Sequence, residues 1–446
     1  MDQRPVSFTA YWRLVQSNRN FRLLWLAQIV SELGDWLYSI AIYSLLLELT
    51  GSAKSVATAV VLQVLPQFFI APAAGVLNDR MSRKRVMILA DVARAAIVLG
   101  MLAVQRADLV WCIYLLLFAE TTMWAFFEPA RNAVIPNICR GPDVLIANAL
   151  SSTTWSFNLA VGSAIGGAVA VVFGRQAVFV INAATFLLSA LLLRAMCFSE
   201  PHVTGSRPLR WGDLTDFSPL FEGFRYVRSD ARLVATLLVK AGLGLMGTNW
   251  VILPVLGERV FPVELGRLDP QRAGMLGMSL LMGARGIGAL IGPILGSYWA
   301  GQQEPRLRKG ILLGFLAGAA GYLALGAAPS LPAAAAAIIV AHAGGSLIWV
   351  FSTTLLQIHT DDRFRGRVFS ADYAFFVVTM SSVTYLGGLL VDLGMSPQKL
   401  AALTGSSGLI PALAWTLALR LWERPAPSTP SCAERAQPLD GPPRGL

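Results

Sequence analysis

The sequence predicts an all-α integral membrane protein with twelve transmembrane helices in two pseudo-symmetric six-helix bundles. The first observation is the composition, with 55% hydrophobic and 14% charged residues in a chain of 446. An average soluble domain has roughly 25% charged residues, so this chain has too little charge to cover a core in water. The second observation is a series of long apolar runs, and the third is a clustering of basic residues in alternate loops.

A transmembrane helix needs about 20 predominantly apolar residues, and twelve runs of this kind follow one another along the chain. Several exceed the minimum, which indicates tilt or extension beyond the bilayer. The runs cover residues 22–48, 54–78, 85–105, 108–136, 144–173, 176–197, 230–257, 271–300, 309–328, 331–358, 366–392 and 398–421.

Basic residues predict the orientation of these runs. One set of loops is rich in arginine and lysine, as in Arg80–Arg85 and Arg363–Arg367, whereas the opposite loops hold isolated cations such as Lys54 and Arg106. Because cytoplasmic loops of membrane proteins carry the excess of Lys and Arg, both termini are predicted to be cytoplasmic, in a multi-pass protein of the inner cell membrane. The net charge of +10 is then a topology signal, and no nucleic-acid partner is expected.

A polar segment divides the chain into two halves that resemble each other. Gly75 followed by Arg83–Arg85 corresponds to Gly296 followed by Arg306–Lys309. The predicted organisation is a first bundle at 1–197, a cytoplasmic linker with an amphipathic helix at 198–229, a second bundle at 230–421, and a disordered Pro- and Ser-rich tail at 422–446.

The polar turn from Gly75 to Arg85 reads GVLNDRMSRKR and joins the second and third runs. It resembles the signature loop of the major facilitator superfamily, Gly-x-Leu-x-Asp-Arg-x-Gly-Arg-Lys/Arg, with Ser82 in place of the usual glycine. Glycine can adopt backbone angles that other residues rarely adopt, so the serine departs from the family pattern where the turn could need such angles.

Further segments resemble the macrolide-efflux and enterobactin-exporter branch of that superfamily: FRLLW at 21–25, SELGD at 31–35, PAR at 129–131, ANAL at 147–150 and RGRVF at 365–369. Residues 162–167 read GSAIGG, where antiporters of the superfamily often carry Gly-Pro. The resemblance implies a secondary transporter that works by alternating access, with its substrate site between the halves.

The resemblance also implies a gate at the cytoplasmic side. Asp79 is expected to face the N-terminal end of the eleventh run (366–392) near Gly366, where the helix dipole stabilises a carboxylate. Arg83 is expected to pair with Glu128, and both contacts would form only while the cytoplasmic side is closed. The alternative is that these cations only set topology and bind anionic lipid. The candidate gate comprises Gly75, Asp79, Arg80, Arg83, Glu128 and Gly366.

Charged residues inside the apolar runs are costly in a bilayer and are candidates for function. Glu32 and Asp35 share one helix face, and Glu120 lies in the middle of the fourth run. Such acids can carry a coupled proton or contact substrate; the alternative is a hydrogen-bonded structural acid. Lys240 and Arg285 in the second half can neutralise a carboxylate across the cavity or hold an anionic substrate.

Lys240 and three further residues also have structural interpretations. Lys240 can instead extend its ammonium group to the membrane surface. Asp91 and Arg94 have helical spacing and can pair with each other. His342 is expected to be packed and hydrogen-bonded rather than a proton carrier.

The sequence contains no nucleophile–base set or phosphate-binding loop, and its four cysteines fit neither a metal site nor a disulfide framework. We therefore expect no enzyme, cofactor or metal, and energy from an ion gradient. The predicted function is proton-coupled efflux of a small amphipathic compound, such as a drug or siderophore, by a monomeric antiporter in contact with membrane lipid. An importer or lysophospholipid flippase remains an alternative on the same fold, and a non-transporting sensor or assembly subunit is the alternative of another class.

Overall fold

The computed structural model describes residues 8–203, 218–228, 230–263, 266, 268–301, 303–361 and 364–423. Throughout these residues the regular secondary structure is helical. Most of the predicted tail at 422–446 and the central part of the predicted linker at 198–229 lie outside the described residues.

Long helices occur where the apolar runs predicted them, with ends that differ by a few residues. The first half consists of α1 (Phe8–Ser17), α2 (Arg19–Thr50), α3 (Ala53–Arg80), α4 (Arg83–Gly100), α5 (Val110–Ile138), α6 (Pro142–Phe173) and α7 (Arg175–Arg194). The second half consists of α8 (Ser218–Val227), α9 (Ala231–Gly244), α10 (Asn249–Arg259), α11 (Pro270–Ala300), α12 (Glu304–Gly326), α13 (Leu331–His359), α14 (Arg365–Asp392) and α15 (Pro397–Glu423).

Within the described part of the chain, eleven helical segments have the length and apolar composition to cross a membrane, α9 and α10 together forming one of them. The remaining long helix, α2, has 32 residues and includes the acids Glu32, Asp35 and Glu48. With α2, these segments give the twelve predicted spans. We call the end of the bundle that holds Arg80–Arg85 the basic end, and the end that holds Gly51 and Gly394 the opposite end.

The two halves repeat the same packing. In the first half α4 packs on α5 and α7, and α2 packs on α6; in the second half α12 packs on α13 and α15, and α9 packs on α14. Between the halves, α3 packs on α14 and α6 packs on α11, two interfaces that a pseudo-twofold axis exchanges. This arrangement confirms two pseudo-symmetric six-helix bundles, which meet along two helix pairs.

Polar caps and glycines set the helix ends. The side chains of Asn18, Ser52 and Ser82 accept hydrogen bonds at the N-termini of α2, α3 and α4. Gly51 ends α2 with a φ of 63°, a left-handed conformation that glycine adopts readily. Ser82 has a φ of −61° and a ψ of 114°, so the signature turn requires no glycine at this position.

The seventh predicted run is not one continuous helix, because α9 ends at Gly244 and α10 begins at Asn249. Gly244 and Gly247 lie so close to α14 that a Cβ at either would come within 3.0 Å of Met380. The Thr384 hydroxyl donates a 2.9 Å hydrogen bond to the Gly247 carbonyl, which satisfies a backbone group near the break. Uniform hydropathy conceals this interruption, and the two glycines are its only sequence signal.

Small residues bring the halves into close contact. A Cβ on Gly286 of α11 would overlap the backbone of Ala160 on α6, and one on Gly167 of α6 would overlap Ser279 on α11. Helices without bulky side chains at their interface can approach until their backbones touch. The α6–α11 interface is therefore a tight contact between the two halves.

Two short helices accompany the bundles. The N-terminal helix α1, which was not predicted, packs on α2 and α6 and buries Leu14 and Val15. Helix α8 lies within the linker predicted at 198–229, of which residues 204–217 and 229 are outside the described part. It packs on α14, where Arg367 Nη1 lies 2.6 Å from Glu222 Oε2.

Candidate functional site

A buried cluster of charged side chains joins α2, α4 and α5. Arg94 donates a 2.6 Å hydrogen bond from Nη2 to Asp35 and a 3.0 Å hydrogen bond from Nε to Glu120. Asp91 lies 3.6 Å from Arg94 Nη1, and the Phe186 ring covers the guanidinium at 3.9 Å. The side chains of Arg94 and Asp91 are 2% and 0% exposed, whereas that of Asp35 is 26% exposed. Asp35 is therefore the member of the cluster most open to solvent.

This cluster brings together two of the predicted cavity acids, Asp35 and Glu120. The expected pairing of Asp91 with Arg94 is observed, but it is part of a larger network. Sequence reasoning gave Arg94 a local role because its helical spacing to Asp91 was visible, whereas its neighbours on α2 and α5 are set by helix packing. An arginine in the middle of an apolar run is itself a signal of function.

Glu32 belongs to a second network, although it lies on the same helix as Asp35. Its Oε1 accepts a 2.9 Å hydrogen bond from Gln28 and lies 3.5 Å from Arg131 Nη1, and its Oε2 accepts a 3.2 Å bond from Asn158. Arg131 also forms a short ion pair with Glu128. The two acids of α2 therefore reach different neighbours, Asp35 towards α4 and Glu32 towards α5 and α6.

At the basic end, the predicted pair of Arg83 and Glu128 is not formed in this conformation. Glu128 pairs with Arg131, while Arg83 Nη1 donates a 3.0 Å hydrogen bond to the Ala133 carbonyl. Arg83 Nη2 also lies 3.7 Å from the Asp79 carboxylate. The pair was predicted only for a closed cytoplasmic side, and it stays a prediction for that state.

The signature turn is open on the side that faces the second half. The Asp79 side chain is 78% exposed, and a Cβ on Gly75 or on Gly366 would meet nothing within 4 Å. Arg80 is the last residue of α3. The expected contact between Asp79 and the start of α14 is thus a prediction for another conformation.

The signature turn instead forms hydrogen bonds with the segment that follows α7, at the end of the first half. The Ser82 hydroxyl donates a 2.5 Å hydrogen bond to Glu200 Oε2, and Glu200 Oε1 accepts from the backbone N–H of Lys84 at 3.3 Å. A carboxylate at the N-terminus of α4 is favoured by the helix dipole. Ser82, the departure from the family pattern, therefore caps α4 and connects it to the segment after α7.

The halves are connected at the opposite end by a carboxylate that sequence reasoning missed. Asp392, the last residue of α14, accepts hydrogen bonds from the Ser52 hydroxyl at 2.5 Å, from Ala53 N–H at 2.8 Å and from Lys54 N–H at 3.2 Å. These groups form the N-terminus of α3, so Asp392 caps a helix of the other half. A further contact there joins the Arg259 guanidinium to the Gly51 carbonyl at 2.7 Å.

Lys240 is buried inside the second half and does not reach a membrane surface. Its Nζ donates 2.9 Å hydrogen bonds to Asp372 and Thr353 and lies 3.8 Å above the Trp349 ring. The Lys240 and Asp372 side chains are 1% and 5% exposed. Asp372 lies within the predicted run 366–392 but is not among the site residues that the sequence predicted.

Arg285 lies at the interface between the halves among aromatic rings. Its guanidinium is 3.5 Å from the Trp250 ring, and Trp250 is stacked with Trp36 at 6.3 Å and an interplanar angle of 12°. Trp155 meets Trp36 edge to face at 5.7 Å. Trp36 and Trp155 belong to the first half, whereas Arg285 and Trp250 belong to the second.

His342 is hydrogen-bonded, as expected, with its Nε2 3.1 Å from the Tyr322 hydroxyl. The first half thus contains a group of acids around Arg94, and the interface between the halves contains one cation and a group of indoles.

Comparisons with known proteins agree with this geometry. The family model described as Transmembrane secretion effector matches residues 13–440. The uncharacterized MFS-type transporter YfiS of Bacillus subtilis (strain 168) is 30% identical over 181 residues, which are 40% of this chain and 43% of YfiS. Macrolide efflux protein A of Streptococcus pyogenes is 29% identical over 230 residues, which are 51% of this chain and 55% of that protein. The chain spans about half the length of these curated relatives.

Among solved structures, a bacterial homolog of the human lysosomal transporter Spinster superposes with a TM-score of 0.67 at 15% identity, covering 92% of this chain and 100% of that one. This likeness concerns the fold. The relatives are transporters, not enzymes. The match over nearly the whole chain shows that the protein belongs to the transmembrane secretion effector family of the major facilitator superfamily, a family of multi-pass membrane transporters.

Proposed function

We propose that the protein couples the movement of protons to the export of a small amphipathic compound across the cell membrane. The observation that carries the proposal is the Asp35–Arg94–Glu120 cluster, with Asp91 behind it. Three carboxylates face one guanidinium, so the fully ionised cluster would hold uncompensated negative charge in a low-dielectric interior. Binding one proton reduces that excess by one charge.

The partial exposure of Asp35 supports its role as the group that exchanges the proton. Its carboxylate is 26% exposed, whereas Glu120 is 10% exposed and Asp91 is fully buried. Arg94 holds Asp35 by a direct hydrogen bond, so protonation of Asp35 weakens a contact between α2 and α4. A change of charge at this position thereby alters helix packing inside the first half.

The antiparallel packing of α3 on α14 supports alternating access. Each helix has a carboxylate near its C-terminus, at the end of the bundle where the partner helix begins: Asp392 at the opposite end and Asp79 at the basic end. Only the Asp392 contact is formed in this conformation, which favours a state open at the basic end. In the alternate state we propose that Asp79 contacts α14 near Gly366 and that Arg83 contacts Glu128, while Gly75 and Arg80 complete the gate.

The proposed direction is efflux, with the basic end in the cytoplasm and the bundles at 1–197 and 230–421 as the moving bodies. The name of macrolide efflux protein A supports export, and the indoles of Trp36, Trp155 and Trp250 support a cargo with an apolar surface. The bundles would move about a cargo held between them, protected from lipid.

The test is efflux of a radiolabelled macrolide from proteoliposomes with an imposed pH gradient. Asp35→Asn is expected to abolish the dependence on the gradient, because an amide cannot exchange a proton. Asp108→Asn is the matched control, since its side chain is 60% exposed and its ion pair with Arg106 lies at the surface. Gradient-driven efflux by Asp35→Asn at the wild-type rate would contradict the proposed role of Asp35.

A further inference from the structure

Arg285 is a buried cation without a carboxylate partner among the described residues. It is 7% exposed, and its Nε and Nη1 are buried without a hydrogen-bond partner in this part of the chain. The other buried cations differ, because Arg94, Arg131 and Lys240 lie 2.6, 3.5 and 2.9 Å from carboxylates. Burial of an unpaired charge is unfavourable. A group that supplies the missing negative charge is therefore to be expected at Arg285.

Among the described residues, the surroundings of Arg285 contain aromatic rings but no acid. The guanidinium is stacked 3.5 Å from Trp250, a contact that orients its plane and leaves the donors at its edge for another partner. Trp36 is stacked with Trp250, and Trp155 meets Trp36 edge to face. Tyr43, Tyr322 and His342 interact electrostatically with Arg285, and none of these side chains is a carboxylate.

The break between α9 and α10 positions Trp250 beside Arg285. Trp250 is the second residue of α10, directly after the interruption that Gly244 and Gly247 create against α14. Interrupted helices at the interface between halves are typical of substrate sites in secondary transporters. Arg285 and Trp250 from the second half face Trp36 and Trp155 from the first, so a ligand held here touches both moving bodies.

We infer that Arg285 and the three indoles form a binding site for an organic anion, in which the guanidinium holds an oxyanion group and the tryptophans hold a flat apolar body. A guanidinium donates two parallel hydrogen bonds to a carboxylate, which a lysine cannot do. This inference rests on the proposed transport function, because it names the chemical class of the cargo.

The experiment is isothermal titration of the protein in lipid nanodiscs with 2-naphthylacetate and its neutral analogue 2-naphthylacetamide, with empty nanodiscs as blanks. The wild type is expected to bind the carboxylate at least about tenfold more tightly than the amide, a difference typical of one charge-assisted hydrogen-bonded pair. Arg285→Gln is expected to reduce this ratio to about one by the same reasoning. Arg285→Lys is expected to recover part of it.

The matched control is Arg272→Gln, which removes an arginine from the same helix where the side chain is 47% exposed and paired with Asp269. This variant should keep the wild-type ratio. Without ligand, Arg285→Gln should melt at or above the wild-type temperature, because it removes an unpaired buried charge. Equal affinity of the wild type for both probes, including no measurable binding of 2-naphthylacetate, overturns the inference, and so does a clearly lower melting temperature of Arg285→Gln.

Failure of this inference is distinguishable from failure of the proposed function. If macrolide efflux depends on the pH gradient while the naphthyl probes show no preference for the anion, transport stands and the anion site is wrong. If the anion preference is present and depends on Arg285, but neither the macrolide nor 2-naphthylacetate moves with the pH gradient, the binding site stands and proton-coupled efflux is wrong.

Discussion

Charged residues in this protein are stabilised in different ways, and this difference separates structural groups from groups available for function. Lys240 and Asp372 are almost fully buried and face each other at 2.9 Å. Both charges are compensated inside the second half, which is typical of a pair that orients helices. Asp35 shares Arg94 with Glu120 and is partly exposed. A neutral Asp35 would therefore leave Arg94 still paired with an acid.

We expect Lys240→Met to lower the stability of the protein by about 3–5 kcal/mol, because it leaves the Asp372 carboxylate buried and unpaired. The double variant Lys240→Met/Asp372→Leu should recover most of this loss, since two apolar side chains can replace a buried ion pair. Thermal unfolding of the purified proteins in detergent measures both effects. A double variant as unstable as the single one would show that Lys240 has another essential partner.

At the scale of helices, the antiparallel pair α3 and α14 connects the two halves and carries the carboxylates Asp79 and Asp392. Asp392 caps α3 across the boundary between the halves, so the cap exists only while the opposite end is closed. Asp79 is exposed in the same conformation, and among the described residues its carboxylate lies 3.7 Å from Arg83. The two carboxylates are therefore expected to stabilise different states of the transporter.

Asp392→Ala should shift the population towards the state open at the opposite end. Loss of an N-cap costs about 0.5–2 kcal/mol, which changes the ratio of two states by roughly 2-fold to 30-fold. Spin labels at positions 106 and 399, one in each half, report this shift as a longer distance. Both labels replace exposed side chains near the opposite end, Arg106 and Lys399, in a background without native cysteines.

Asp79→Ala should have the reverse effect. It should reduce the population with a long distance between the labels, because it destabilises the state that is open at the opposite end. Asp269→Ala is the control for both variants, since Asp269 caps α11 within its own half by accepting a 2.9 Å hydrogen bond from Arg272 N–H. This control should lower stability and leave the label distances unchanged. Shifts of the same sign for the Asp79 and Asp392 variants would refute the pairing of the two ends.

At the scale of the whole molecule, the orientation of the bundle decides which end opens to the cytoplasm. The basic end holds the clusters at Arg80–Arg85 and Arg365–Arg367, and the positive-inside rule places it in the cytoplasm. Since Asp392 connects the halves at the opposite end while Asp79 at this end is exposed, the observed conformation would then receive cargo from the cytoplasm. That orientation is a prediction of the sequence, and export depends on it.

Reporter fusions test this topology. A green fluorescent protein fused to the C-terminus should fluoresce in a bacterial host, because it folds in the cytoplasm. Alkaline phosphatase fused after Gly174, at the opposite end, should be active, and the same enzyme fused after Arg140 should be inactive. The reverse pattern of activities would place the basic end outside and would make the conformation one that receives cargo from outside the cell.

The sequence by itself determined the spans to within a few residues, the basic clusters and the family, because these depend on local hydropathy, charge and motifs. It also singled out Asp35, Glu120, Lys240 and Arg285 as candidates, since a charge within an apolar run is visible without a structure. It missed α1, which is short, and the break at Gly244–Asn249, which hydropathy conceals. Only the tertiary structure decided which partner each charge meets: Arg94 for Asp35 and Glu120, Arg131 for Glu32, Asp372 for Lys240, and none for Arg285 among the described residues. These pairings join residues up to 132 positions apart, and they depend on how helices pack, a property that no local pattern contains.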